Sequence, residues 1–514
     1  MGSRKISRRG YLGATAAALL STGAMKGILL ADHASQASPG QSKSDQAPLA
    51  VGTSAQLFFD DQFIATSENV TITMNPPIKC GPVLKPDQPW EDFRLTSYFT
   101  VVQDGDLARM YYSCFAVDQW NNKDDPWNNH AFLCYAESKD GLNWIKPDLG
   151  IVEYGGSKKN NIVLKSVVDG TVFIDPTASP ERRYKLLHTI GPHKGGLRVS
   201  YSADGKHFTT PDQPASPWTP DSQQNAFYDP DLKKYVAYLR AFHDGGIDAE
   251  KRSVARVVLD DIEKPWDAKP QIVFSADDQD PSDVDFYTNA AVKYPWADDA
   301  YFMFPAAYHH FEERYGNDGL LDSSAAVSRD GIAWKRPDRG PYVSLGEKGE
   351  WDESFVMMGV GLIRRGDKIF QYYNGIDIGH GGTRKESKLG AQGRTRWGWM
   401  GVTEQRLGGF YSADFAYAGG SLVTPPLVFG GNQLQLNVNT SSAGNAKVAL
   451  LQPDGQPVPS YSIDDCDEIM TNNVAHIVTW KEKADLAALS GKPLRLRIES
   501  RSTKLYGFQF ASSQ

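Results

Sequence analysis

From Leu57 to Phe510 the chain alternates apolar and polar positions in short runs, each closed by Gly, Pro, Asn or Asp. A period of two puts successive side chains on opposite faces of a strand, so the runs predict β-strands rather than helices. The clearest are residues 95–101, 132–136, 184–187, 235–239, 253–257 and 301–304. After about Gly419 the alternation becomes more regular, in residues 433–438, 446–451, 476–480, 494–498 and 505–510. The chain reads as all-β with a change of architecture near residue 419.

One phrase, Ser-x-Asp-Gly-x-x-(Trp/Phe), occurs three times: Ser138 to Trp144, Ser202 to Phe208 and Ser328 to Trp334. The copies start 64 and then 126 residues apart, the second interval being two steps of 63. A fixed period marks a stacked-unit fold. Each copy follows a strand-like run and precedes a proline (Pro147, Pro211, Pro337). Asp-Gly favours a tight turn, because glycine tolerates positive φ and Asp can bond its own backbone. The Ser caps that turn and the ring packs beneath it, which makes the phrase the outer hairpin of a propeller blade. The longer interval holds a blade whose phrase has diverged, with strands at 225–229, 235–239 and 253–257, and two more blades follow at about 286–334 and 355–411. Strands this short bury their apolar faces by packing sheet on sheet around an axis. The expected organisation is a five-bladed β-propeller over 50–418 followed by a C-terminal β-sandwich over 419–514.

The N-terminus adds a destination. Ser7-Arg8-Arg9-Gly10-Tyr11-Leu12 matches the twin-arginine export pattern, and an apolar stretch to about Ala31 ends near Ser35-Gln36-Ala37. Residues 1–37 read as a signal peptide and 38–49 as a linker, which predicts a periplasmic or extracellular protein. Losing five Lys/Arg and one Asp with residues 1–37 takes the formal charge from -8 to -12. A chain this acidic is a poor partner for nucleic acid. No other apolar run approaches the roughly 20 residues that cross a bilayer, so the mature chain is expected to have no membrane span. Cys80, Cys114, Cys134 and Cys466 lack metal-type spacing and read as free thiols. With no HExxH, CxxC, phosphate loop or GxSxG, the sequence implies no metal and no cofactor.

In a propeller the first strand of each blade lines a central funnel, and its first residues converge there from distant parts of the chain. Around those starts lie Glu91 and Asp92; Asp175; Asp221, Gln223 and Asn225; Asp283, Asp285, Tyr287 and Asn289; and Asp352 and Glu353. Glycosyl transfer to water needs two carboxyl groups roughly 5–10 Å apart, one to protonate the departing oxygen and one to activate water or attack carbon. Clustered acids raise one another's pKa and keep one protonated. The expected roles are Glu353 as proton donor, Asp285 as base or nucleophile, Asp175 as the group that holds hydroxyls and steadies positive charge, and Glu91 as a substitute. For the substrate, Trp127, with Trp120, Tyr308, Trp397 and Trp399, would stack on a sugar face. His310, His380 and Arg396, with His309 and Arg394, would bond hydroxyls or anionic substituents. Asn225, Tyr287 and Asn289 belong to the strand starts, and Asp61, beside Asp60, lies outside the funnel or at ring closure. The plain alternative is a set of solvated turn acids on a carbohydrate-binding propeller without catalysis.

The repeated hairpins, the acid-bearing strand starts and the C-terminal sandwich together resemble the five-bladed propeller glycoside hydrolases of families 32, 43, 68, 117 and 130. Asp175-Pro176 is similar to the Arg-Asp-Pro element of family 32, whose aspartate steadies the transition state, although Ile174 stands in the arginine's place. Neither a Trp-Met-Asn-Asp-Pro nor a Glu-Cys element occurs, so the resemblance implies an outlying branch and a carbohydrate substrate other than sucrose or fructan. A sialidase-like hydrolase is the third reading, since the phrase is similar to the Asp-box of those propellers.

Overall fold

The computed structural model describes residues 47–117, 129–191, 194–218, 220, 222–243, 251–312, 317–381 and 398–513. The expected signal peptide and all but the end of the linker lie outside them. Everything described belongs to one compact unit and is built from β-strands with a few 3-10 turns.

Five antiparallel units follow one another between residues 78 and 406. The first pairs Arg94–Asp104, Leu107–Phe115, Ala131–Ser138 and Ile162–Lys165. The second pairs Thr171–Ile174, Tyr184–Ile190 and Lys194–Ser202, with single bridges to Thr209 and Ser216 at its outer edge. The third pairs Asn225–Asp229, Lys234–His243, Lys251–Leu259 and Gln271–Phe274. In the fourth, three passes of the chain break midway into two short sheets, Val284–Phe286 with Ala306–His310 and Gly319–Ser323, then Val292–Lys293 with Tyr301–Met303 and Ala326–Ser328. The fifth pairs Phe355–Met358, Lys368–Ile376 and Trp399–Arg406, and its outer strand, Ile78–Leu84, comes from ahead of the first unit.

The three phrases do more than turn the chain. In each, the Ser hydroxyl accepts the Gly N–H and donates to the Asp, whose Oδ1 takes the next two N–H groups. These donors hold the Asp140 and Asp204 carboxyls well below the usual range and, against burial, lower that of Asp330. The Gly carbonyl then accepts a tyrosine hydroxyl from the middle strand of a neighbouring unit: Tyr111 to Gly205 at 2.8 Å, Tyr238 to Gly331 at 2.7 Å and Tyr372 to Gly141 at 2.8 Å. The phrase's ring closes edge-on against the same tyrosine, with centroids 5.5 Å apart for Trp144 and Tyr372. Glycine is required twice over. Its φ is +81°, +74° and +70° at the three sites, and an added Cβ would collide with the tyrosine oxygen. The third unit, which lacks the phrase, ends Lys251–Leu259 in Asp260-Asp261-Ile262-Glu263-Lys264-Pro265-Trp266, where Trp266 Nε1 donates back to Ile262 O at 3.0 Å.

The first strands of the units meet at one level. Val101 N and Val360 O bond at 2.8 Å in a parallel bridge, Val172 N donates to Thr100 Oγ1, and Thr171 Oγ1 donates to Gln224 O. Asn225 Nδ2 reaches Ala291 O, while Gln223 links Ala290 N to Met358 O. Five strands far apart in sequence are thereby stitched into a ring.

Beyond residue 406 two sheets share one core. One holds Gln433–Asn439, Thr503–Ala511, Asn472–Ile477, Tyr411–Phe415 and Val70–Met74, with Gln56–Leu57; the other holds Asn445–Leu451, Arg495–Arg501, Gly420–Val423 and Thr66–Glu68. The period-two pattern is realised directly, since Leu434, Leu436 and Val438 point in and Gln433, Gln435 and Asn437 point away. The expected boundaries at 50 and 419 do not match this pairing. The strands within residues 49–74 and 411–415 pair with the C-terminal strands and not with strands of the five units. Their strands are too short to signal a partner, and Thr66–Glu68 is exposed throughout.

Gly205→Ala is expected to lower the melting temperature by about 2 °C or more, because it breaks a positive-φ turn and pushes Tyr111 away at once. Tyr111→Phe keeps the ring and loses one hydrogen bond, worth about 1 kcal/mol, so its melting temperature should lie between those of Gly205→Ala and the unaltered chain in the same thermal melt.

Candidate functional site

The first strands run in a common direction through the ring, so each has one end on either side of it. Asp285 opens its strand, in Val284–Phe286, well before Ala291 at the ring. Its Oδ2 accepts the Arg252 backbone N–H and the Arg252 guanidinium, both at 3.1 Å, and lies 3.3 Å from His310 Nε2. Its Oδ1 is buried and, among the described residues, has no hydrogen-bond partner. Burial opposes the charge on Asp285, yet the His310 bond and the Arg252 cation hold its carboxyl below the usual carboxylate value.

Aromatic rings surround this carboxylate. Asp285 pairs with Tyr308 in the ladder, and the Tyr308 ring lies 3.8 Å from that of His310. Tyr287 meets Tyr308 edge-on at 5.7 Å, and His380 sits 4.9 Å from each. His380 Nδ1 faces the Asn317 carbonyl at 3.1 Å and so carries the proton, which leaves Nε2 to accept the Tyr287 hydroxyl at 2.9 Å. Arg240 and Arg252 lie 4.1 and 5.0 Å from the Tyr287 ring centre. The expected residues Asp285, Tyr287, His310 and His380 thus come together; Arg252, Arg240 and Asn317 join them unannounced, because middle-strand and loop residues carry no strand-start signal.

A second carboxyl flanks the same cluster. Asp377 follows Lys368–Ile376, and Ile376 packs against the buried cluster that contains Tyr287, Tyr308 and Phe355. Ser354 Oγ donates to the Asp377 carbonyl at 3.2 Å. Burial first, and then the neighbouring charge of Glu353, push the Asp377 carboxyl up. Glu353 itself, the expected proton donor, accepts the Gly349 N–H and lies 3.2 Å from the Lys348 ammonium. Both of its contacts lie within its own turn. The raised carboxyl pKa expected among the strand-start acids is found at Asp377, which ends a second strand instead of opening a first one.

Other expected residues lie elsewhere. Asp175 stands one position beyond Thr171–Ile174, at the opposite end of the ring from Asp285. There it accepts the Thr177 hydroxyl at 2.8 Å and the Tyr235 hydroxyl at 2.7 Å, with Lys185 at 3.9 Å. The residue at the matching strand start is Asp169, buried and bonded to Thr189 Oγ1 at 2.6 Å and Gln224 Nε2 at 2.9 Å. Glu91 is fully buried and accepts from Tyr112 OH (2.6 Å), Lys146 (2.7 Å), Asp87 N (3.0 Å) and Gln88 N (3.3 Å), which makes it a tie between loops with no oxygen for a substrate. Asp61 is exposed beside Asp60, whose carboxylate grips Arg329 of the third phrase at 2.7 Å, so the pair sits at the phrase end and outside the cluster. Asn225 and Asn289 are buried ring residues, Asn289 receiving Ala291 N at 3.1 Å. Trp127 and Arg396, with Trp120, Asp221, Arg394 and Trp397, lie outside the described residues. Trp399 stacks on Trp351 at 5.9 Å beneath Lys85. Among the described residues no group of three His, Cys, Asp or Glu is placed to hold a metal ion.

The sequence matches no family profile and no curated protein. Solved structures similar to the chain include glycoside hydrolases of propeller-type families. One glycoside hydrolase is similar over 64% of this chain and 92% of its own, at 14% identity and a TM-score of 0.45. A family 43 arabinoxylan arabinofuranohydrolase from Bacillus subtilis, in complex with cellotetraose, is similar over 84% of this chain and 99% of its own, at 11% identity and a TM-score of 0.37. An N-acetylgalactosamine deacetylase from F. plautii, in complex with blood group B trisaccharide, is similar over 66% of this chain and 96% of its own, at 13% identity and a TM-score of 0.41.

Proposed function

We propose that this is an exported glycoside hydrolase, in which the five units are the blades of a propeller, the last two sheets form a sandwich, and the recess around Asp285 takes a poly- or oligosaccharide. One observation carries the reading: a buried carboxylate, held charged through Oδ2 by Arg252 and His310, keeps Oδ1 without a hydrogen-bond partner among the described residues, beside aromatic rings. A buried polar atom left unpaired costs stability and is retained where it meets a ligand. The partly exposed rings of His310 and His380, beside the buried Tyr287 and Tyr308, offer the faces on which a pyranose or furanose packs.

The chemistry divides between two carboxyls in contrasting surroundings. Asp285 supplies the basic carboxylate, whose Oδ1 takes a proton from water or attacks the anomeric carbon. Asp377, whose pKa burial and then Glu353 push up, gives its proton to the departing oxygen. The His380 and Tyr287 pair fixes the hydroxyl that faces the sugar. A carbohydrate-binding protein without turnover is the second reading, favoured by the ion pair that already neutralises Asp285.

Screening the purified protein against diverse glycosides and polysaccharides should reveal cleavage. In that assay Asp285→Asn and Asp377→Asn are expected to lower kcat by about a hundredfold or more, whereas Asp175→Asn, at the far end, leaves it within about twofold. An unchanged rate in Asp285→Asn removes the assigned base, and binding of sugars without turnover transfers the case to the second reading.

The rate should be bell-shaped in pH, its acid limb reporting Asp285 below the ordinary carboxylate value and its alkaline limb Asp377 above it. Asp377→Asn should erase the alkaline limb. Stability gives an independent check. Because folding depresses the Asp285 pKa, its contribution is complete above the unfolded carboxylate value and fades as pH falls through the native one. Asp285→Asn should therefore cost about 2 kcal/mol near neutrality and progressively less in acid, as followed by melting temperature.

A further inference from the structure

The ring of bonded first strands separates the acid recess from a cavity of about 500 Å³ at the other end of the same axis. Its walls come from the C-terminal halves of all five first strands and the turns that follow: Val102, Val172, Ile174, Phe227, Val292 and Leu362. All but Val172 are only partly buried. Half-exposed β-branched and aromatic side chains facing one another across a concave space are unusual on a soluble protein unless something fills it. A cavity with such walls holds water poorly and takes apolar molecules readily, and its volume falls in the range of small-molecule sites.

Its polar groups narrow the ligand. Asn225 lines the floor with its amide nitrogen tied to Ala291 O, which leaves Oδ1 as an acceptor for one hydroxyl. At the rim, Lys293 is neutralised by Asp229 at 3.5 Å and by Asp231, and Asp298 adds a further carboxylate. An anion would meet negative charge there with no free cation among the described residues of the rim.

We propose that this cavity is a second binding site, for an uncharged aromatic or branched aliphatic molecule bearing a hydroxyl. It lies on the opposite side of the ring from Asp285 and works independently of it. The site is the apolar cup that the strand ends leave open, with Asn225 as its hydrogen-bonding floor.

Calorimetric titration of the full chain with 2-naphthol, an uncharged bicyclic molecule with one hydroxyl, tests this. One 2-naphthol should bind per chain, and 2-naphthoate, the same body as an anion, should bind at least tenfold more weakly. Val292→Trp, which fills the cup, and Leu362→Asp, which charges it, should each weaken 2-naphthol at least tenfold, while Asp285→Asn leaves it unchanged. Absence of saturable binding, equal affinity for the anion, unchanged affinity in either folded variant, or loss in Asp285→Asn overturns the proposal. Should neither cup variant fold, irradiation of the unaltered chain with 2-azidonaphthalene decides: adducts on the peptides of Phe227, Tyr228 or Val292 support the site, and adducts confined elsewhere overturn it.

Discussion

A tyrosine hydroxyl donated into the carbonyl of a glycine in the next unit's hairpin is the contact on which this architecture depends. Sheets of strands two to eleven residues long are marginal alone. Each unit gains its stability by packing on its neighbours, and the Tyr-to-Gly bond fixes the offset between them at three junctions. The bond is worth about 1 kcal/mol by itself. The ring stacked edge-on above it and the glycine that no other residue can replace turn that modest energy into a specific angle. Elsewhere the offset is set by other means. The strand Ile78–Leu84 lies before the first unit in sequence and completes the fifth, so the chain leading into the first unit is bonded into the last.

With the units held at fixed angles, their first strands converge closely enough to bond across the axis, and the chemistry follows from that closure. Thr100, Asn225 and Gln223 spend side-chain hydrogen bonds on neighbouring backbone at one level. An open channel would place every strand residue in one shared space. A stitched one divides the molecule into two ends with different surroundings, charged and aromatic on the side of Asp285 and apolar on the side of Ile174. The fate of Asp175 shows the consequence. Its distance in sequence from Asp285 matters less than its place after the ring, where Thr177 and Tyr235 occupy it.

The fold was legible because its signals are local. Ser138, Asp140 and Gly141 make their bonds within four residues, and the period of the phrase carries the unit count, including the diverged third unit that ends in Trp266. The alternation of residues 433–438 likewise reads straight into a buried face. The site was half legible. Asp285 and Tyr287 announce themselves at a strand start, and His310 and His380 as histidines beside apolar strands. Glu91 and Asp377 exchange importance because burial is a long-range property: nothing near Glu91 foretells that Tyr112 and Lys146 will consume its oxygens. A register error of a few residues moved the expected strand start from Asp169 to Asp175, and in a short strand that is the difference between two ends of the molecule.

The contrast between Asp285 and Asp377 also explains why two buried carboxyls shift in opposite directions. Burial works against ionisation of both. Around Asp285 the low-dielectric surroundings strengthen two attractive partners, a guanidinium and an imidazole, and attraction wins. Around Asp377 the same surroundings strengthen a repulsive one, the neighbouring Glu353 carboxylate, which adds to the effect of burial. Reduced screening therefore drives the two pKa values apart instead of raising both. Asp285 is drawn down by its partners, and Asp377 is pushed up first by burial and then by Glu353.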